Sequence, residues 1–252
     1  MICDSRPQKR GTSDGTQAKY IADSFLLLLK GDAMDIVTGI KERKSIRHFL
    51  PEIPSRAIIL ECLEAASWVP NPTSQQPWKF IVLTNDALNT VCRVIEDNFT
   101  EAATKMAGHT APAVSDSVAS TLKERKDRSF GEMMAFLKDK NVDLKAIGRG
   151  NFVFHNAPMG ILFATYPCKD QNFLKSTIAA MQTFLLAATA RGLGTCWMNA
   201  VSICQEYIKE AMNLEPELIL VDGVAVGYPV ADSPLNQIPR HRLPVEEVTV
   251  FL

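Results

Sequence analysis

Several common functional classes leave no mark on this chain of 252 residues. It has no long basic run to serve as a footprint for nucleic acid, and its 27 basic residues are balanced by 28 acidic ones, for a formal charge of -1. Nucleic acid is not an expected partner. The six cysteines (Cys3, Cys62, Cys92, Cys168, Cys196, Cys204) are dispersed without C-x-x-C pairing. In a chain too long to need stapling, that favours reduced thiols, a cytoplasmic setting and no zinc site. The four histidines, His48, His109, His155 and His241, lack the mutual spacing of metal ligands. His155, beside Phe154, reads as structural or at a pocket rim. No G-x-S-x-G elbow supports a serine hydrolase. Near the N-terminus the apolar run Phe25 to Leu29 is far short of the roughly 20 residues that cross a bilayer, and Asp23 breaks the stretch a signal peptide would need. No membrane partner is expected.

What is present is enough apolar content, 46%, to bury a full core. Residues 1–33 read as a disordered or loosely ordered extension, and 34–252 as a single domain, with Met34 as an alternative natural start. Asp35 to Arg43 reads as a short helix with Ile36, Val37 and Ile40 on one face. Ser55 suits the N-cap of a second helix, whose positions Ile58, Ile59, Cys62, Leu63 and Ala66 keep a 3.6-residue period. Trp78 to Thr84 has strand composition and is stopped by Asn85-Asp86; Ala87 to Phe99 is helical. Residues 100–150 are charged and helix-prone. Phe152 to Phe154 and Met159 to Thr165 supply further strand. Thr177 to Arg191 carries a helical stripe of Ile178, Met181, Leu185 and Ala188, with Gly192 as its C′ residue. Leu218 to Gly227 is β-rich. Strands separated by helices around a mixed sheet make an α+β domain.

Four distant segments could together enclose one flat, doubly charged cofactor. Arg43, Lys44 and Ser45 offer two cations and a hydroxyl from several directions, as a phosphate requires, and Arg240 with Arg242 offers a second cationic pair. Each set also reads as a solvated helix end or tail. The loop from Pro70 through Asn71, Pro72, Thr73, Ser74, Gln75 and Gln76 to Trp78 is turn-forming, yet unusually dense in amides and hydroxyls. Gly192-Leu193-Gly194 ends a helix and lacks the third glycine of a dinucleotide fingerprint, so its interest lies in the residues just beyond it, Trp197, Met198, Asn199 and Ala200. Cys196 beside them reads as a buried apolar cysteine. Cations at both ends and amides in the middle suit flavin mononucleotide (FMN).

Arg43 to Phe49 (R-K-S-I-R-H-F), Ser74 to Trp78 (S-Q-Q-P-W), Gly192 to Trp197 (G-L-G-T-C-W) and V-G-Y-P followed by R-H-R resemble the FMN-dependent nitroreductase family, from about Met34 to the C-terminus. The resemblance implies an α+β fold with a central mixed or antiparallel sheet flanked by helices, and an intertwined homodimer with FMN at the subunit interface. It implies that Arg43 and Ser45 contact the phosphate or the ribityl chain, with Arg240 and Arg242 as the partner cations and Lys44 near the ring or its tail. Pro70, Asn71 and Pro72 would lie along the flavin, Ser74 or Gln76 at its edge, and the backbone of Trp197 to Ala200 along the ring, with no catalytic side chain and no metal. The implied activity is NAD(P)H-dependent ping-pong hydride transfer to nitroaromatic, quinone or similar electron-poor acceptors. The alternatives are enone reduction or dehydrogenation on the same scaffold, and a non-enzymatic FMN-binding or flavin-delivery protein.

Overall fold

The computed structural model describes residues 34–107 and 114–252, without the side chains of residues 106, 107 and 144–146. The expectations for Met1 to Ala33 and for His109 lie outside the described residues. Helix α1 (Ile36–Glu42) is capped by the Asp35 carboxylate, which accepts from the Thr38 amide at 2.9 Å. Helix α2 (Arg56–Ser67) starts at Ser55 as its sequence asks, and buries Ile59, Cys62, Leu63 and Ala66. Strand β1 (Trp78–Thr84) passes directly into α3 (Asn85–Ala107), a helix longer at both ends than expected. Helices α4 (Asp116–Asp139) and α5 (Leu144–Gly150) follow, then β2 (Met159–Thr165) and α6 (Asn172–Ala190). The chain finishes its core with β3 (Gly194–Met198), the short α7 (Ala200–Ile203), α8 (Gln205–Ala211) and β4 (Ile219–Gly227).

The four strands run in the order β1-β2-β4-β3, and every neighbouring pair is antiparallel, where a mixed sheet was one expectation. Parallel pairing is confined, among the described residues, to an isolated bridge between Ser45 and Thr195. One face of the sheet (Leu83, Leu162, Met198, Leu220) packs on Val91 and Ile95 of α3 and on Val201 and Ile208 of α7 and α8. The other face (Ile161, Phe163, Val224, Val226) packs on α2 and on Met181, Phe184 and Leu185 of α6. Helices on both faces explain why β2 reads as a continuous apolar run rather than an alternation: all seven of its residues are buried. Helix α6 is long and apolar enough to cross a membrane by composition, and here it is the core helix against α2 and the sheet.

Two boundaries differ from expectation for local reasons. Helix α6 begins at Asn172, five positions before the apolar stripe becomes regular, because the Asp170 carboxylate accepts from the Asn172 amide at 3.1 Å and turns the chain there. Its other end follows the sequence: Gly192 has φ +73 and the Leu193 amide returns to the Ala188 carbonyl at 2.9 Å. Phe152 to Phe154 is not a strand. Phe154, His155 and Asn156 have φ of +49, +51 and +54, so the chain coils left-handed. The fully buried Phe154 ring occupies space that Cβ atoms at Gly160 and Gly223 would invade, to 2.9 and 3.1 Å. Burying that aromatic side chain overrides the local strand preference.

Candidate cofactor site

Arg43 follows α1 as its C-cap, and the chain beyond it runs extended along the outer edge of β3, with the Ile46 amide donating to the Thr195 carbonyl at 2.8 Å. A Cβ at Gly194 would come within 2.8 Å of Ile46, so glycine permits this close approach. Asn236, 3% exposed, fixes the other side. Its Oδ1 accepts from the amides of Arg47 and His48 at 2.7 and 3.0 Å, and its Nδ2 donates to the carbonyls of His48 and Val230 at 2.8 and 2.9 Å. A single buried amide thus joins the N-terminal cationic run to the segment that leads into Arg240 and Arg242.

The result is a cleft of about 410 Å³ lined by Arg43, Lys44, Ser45, Arg47, Arg240 and Arg242, with Lys126, Phe130 and Met133 of α4 on its outer side. Among the described residues that line it there is no carboxylate. Burial first, and then the nearby Arg240 and Arg242, push the Arg43 guanidinium below its ordinary pKa. Arg240 is partly committed: its guanidinium donates to the carbonyls of Lys41 (2.7 Å) and Arg43, satisfying acceptors left over at the end of α1. The Arg242 Nη1 donates to the neighbouring carbonyl of His241. An uncompensated cationic cluster with a hydroxyl is the donor set a phosphate monoester requires, so the residues fit the phosphate end of FMN.

A second cavity, about 720 Å³, lies on the other side of Arg47 and is also lined by His48, Arg149, Val153, His155 and Asn156. His155 is buried against Gly150, and burial, with the charge of Arg47 adding, lowers its pKa to about 4. It is neutral at pH 7, and its Nε2 has no hydrogen-bond partner among the described residues. Arg47 and Asn236 were not among the residues expected from the sequence. A signal for Arg47 existed, since Arg43, Ser45 and Arg47 fall on one side of an extended run; Asn236 had none.

The remaining residues singled out from the sequence lie elsewhere. Pro70, Asn71, Pro72, Ser74 and Gln76 precede β1, the opposite edge of the sheet from β3. Three strand spacings separate the two edges, roughly 14 Å, and none of the five lines the cationic cleft. The loop is nonetheless built. Thr73, Ser74 and Gln76 have φ of +48, +55 and +47, and the Asn71 Oδ1 accepts from the Gln76 amide at 2.8 Å. Trp197 to Ala200 continue β3 beyond its contact with the cationic run. Met198 and Ala200 are each 1% exposed, so what they offer a ligand is backbone; Asn199 is exposed. Cys196 is buried at 3% and its thiol is raised by burial, as an apolar cysteine's is.

A 4-nitrobenzoate reductase of Pseudomonas putida is 26% identical over 234 residues, covering 90% of this chain and 98% of its own length. A nitrobenzene nitroreductase of Ectopseudomonas oleovorans is 24% identical over 216 residues, covering 84% and 95%. Among solved structures, the FMN-dependent nitroreductase NfnB from Mycobacterium smegmatis in complex with NADPH shares the fold with a TM-score of 0.71, at 20% identity over 86% of this chain and 100% of that one. The family model for nitroreductases matches residues 40–228, which takes in all four strands and the cationic run. With the family model matched over well more than half its length, the chain belongs to the nitroreductase family.

Proposed function

We propose that the protein is an FMN-dependent oxidoreductase of the cytoplasm that takes electrons from NADPH or NADH and delivers them to nitroaromatic, quinone or similar electron-poor acceptors. The observation that carries this reading is the cleft in which Arg43, Arg240 and Arg242 converge around Ser45 without a carboxylate. FMN, when bound, supplies the hydride chemistry. Arg43 and Arg242 hold its phosphate by charge, Ser45 adds a hydroxyl, and Arg47 extends the cationic wall toward the second cavity. The backbone from Trp197 to Ala200 presents fixed dipoles along the ring, Lys44 donates near the ring or its tail, and no side chain acts as a general acid. Neutral, enclosed His155 is not an imidazolium at pH 7 and so offers no readily transferred acidic proton. Phe130 and Met133 of α4 provide an apolar wall beside the cleft for a flat acceptor. Donor and acceptor use that one opening in turn, hence ping-pong kinetics.

The same reading takes the working unit to be a homodimer. Support comes from the sheet: the loop of Pro70, Asn71, Pro72, Ser74 and Gln76 precedes the strand at the opposite edge from the cleft and lines no part of it, as suits a loop that completes the cleft of a second copy. The long edge of β1 and the apolar groove beside it, with Ile53, Leu60 and Val82, are exposed. So is the apolar tail Val248, Val250, Phe251 and Leu252. Surfaces of this kind are covered in a stable assembly.

The test is an anaerobic two-step titration of the purified protein carrying FMN. NADPH or NADH should bleach the flavin absorbance, and 4-nitrobenzoate added after removal of the nicotinamide should restore it. Bound FMN that neither nucleotide bleaches would turn the reading to flavin binding or delivery without turnover.

A further inference from the structure

Resting on the FMN reading above, we propose that Asp222 is a positioning residue that clamps the turn after β3 and lowers the reduction potential of the cofactor lying along it. Strand β4 is bulged at this point: Phe163 pairs with Asp222 while Ala164 pairs with Leu220, leaving Val221 as the extra residue. Bulges re-aim side chains, and they gather beside functional sites. Here the Asp222 Oδ2 accepts from the Trp197 indole N–H at 2.7 Å, and its Oδ1 accepts from the Ser202 hydroxyl, also at 2.7 Å. Ser202 lies one helical turn beyond Asn199, and its hydroxyl is also 2.9 Å from the Asn199 carbonyl. One carboxylate therefore grips the strand before, and the helix after, the segment Met198 to Ala200.

A purely structural role accounts poorly for this choice. Asp222 shares its strand with Leu220, Val221, Val224, Ala225 and Val226, and has no cationic partner among the described residues. Burial raises its pKa, opposed by the two hydrogen bonds. An unpaired, half-buried carboxylate is a costly way to hold an indole, since a neutral acceptor would serve. What a neutral acceptor lacks is the charge. Reduction adds negative charge to the bound ring, so a fixed carboxylate beneath the adjoining turn disfavours the reduced form and makes it a stronger donor.

The test uses the full chain carrying FMN and the variants Asp222→Asn, Trp197→Phe and Ser202→Ala, with FMN affinity and midpoint potential as readouts. Asparagine can keep both contacts, its carbonyl accepting from the indole and its amide donating to the Ser202 hydroxyl, so it removes the charge alone. Asp222→Asn should raise the preference for reduced over oxidised FMN by about tenfold, equivalent to about 30 mV for a two-electron couple. Trp197→Phe and Ser202→Ala keep the charge and loosen the turn, so they should weaken FMN binding severalfold with little change in potential. Asp222→Asn with wild-type potential would overturn the proposal. Should that variant fail to fold, wild-type FMN affinity in both other variants would overturn it. A wild-type protein that retains no FMN would instead defeat the functional reading itself, and this proposal with it.

Discussion

All seven residues of β2 are buried, whereas α4, 24 residues long, buries Leu137 and leaves Val118, Leu122 and Phe130 exposed. The strand sits between two helical layers that belong to the same chain. The helix borders the cationic cleft, and one of its contacts there is polar, with the Glu132 carboxylate 3.6 Å from the ring of His241, which stands between the two cleft arginines. The difference separates a body that is complete in itself from a rim that is shaped around something else. Stability resides in the first and binding in the second, so substitutions in the two regions should have different readouts.

Truncating Phe184, buried on α6 with its ring 5.6 Å from that of Phe163, should cost about 3–5 kcal/mol in denaturant unfolding. The same truncation at Phe130 on α4 should cost no more than about 0.5 kcal/mol. Equal losses would erase the distinction. His155 sharpens it from the body side. Its folded pKa of about 4 lies below the ordinary histidine value of 6.5, so below pH 6.5 the unfolded chain binds the proton more readily than the folded one. The stabilisation is full above about pH 6.5 and lost as pH falls toward 4, on the order of 3 kcal/mol in all. Unfolding followed across that window should slope in the wild type and be flatter in His155→Phe.

On the rim, Arg242→Ala should weaken FMN binding by about 1.5–3 kcal/mol, since it removes a charge-assisted contact, while leaving the unfolding midpoint of the apo-protein in place. Arg240→Ala should do both, because that side chain also closes the end of α1. The smallest effect is expected at the N-terminus: a chain beginning at Met34 should bind FMN with the affinity of the full chain, because the family match starts at residue 40. A lost or weakened complex would assign residues 1–33 to the body.

The division between body and rim also marks what could be read from the sequence. Ser55, the strand Trp78–Thr84 and the Gly192 cap were legible because each depends on neighbours a few residues away. Phe152 to Phe154 misled because a buried ring, accommodated by Gly160 and Gly223, decided its conformation from a distance. The cationic residues of the site were legible as chemistry. Their assembly through Asn236 was not, since one buried amide joins segments 188 positions apart. Nor could the sequence reveal that the Pro70 to Gln76 loop stands on the far edge of the sheet, which only the strand order β1-β2-β4-β3 discloses.

That separation across the sheet is the reason for proposing that two chains share each site, and sedimentation of the FMN-loaded protein, followed at once by protein and by flavin absorbance, tests it most directly. The account predicts that flavin travels with a species of twice the 27.8 kDa chain and is released as dilution drives the protein to single chains. Flavin held tightly by a single 27.8 kDa chain would contradict it.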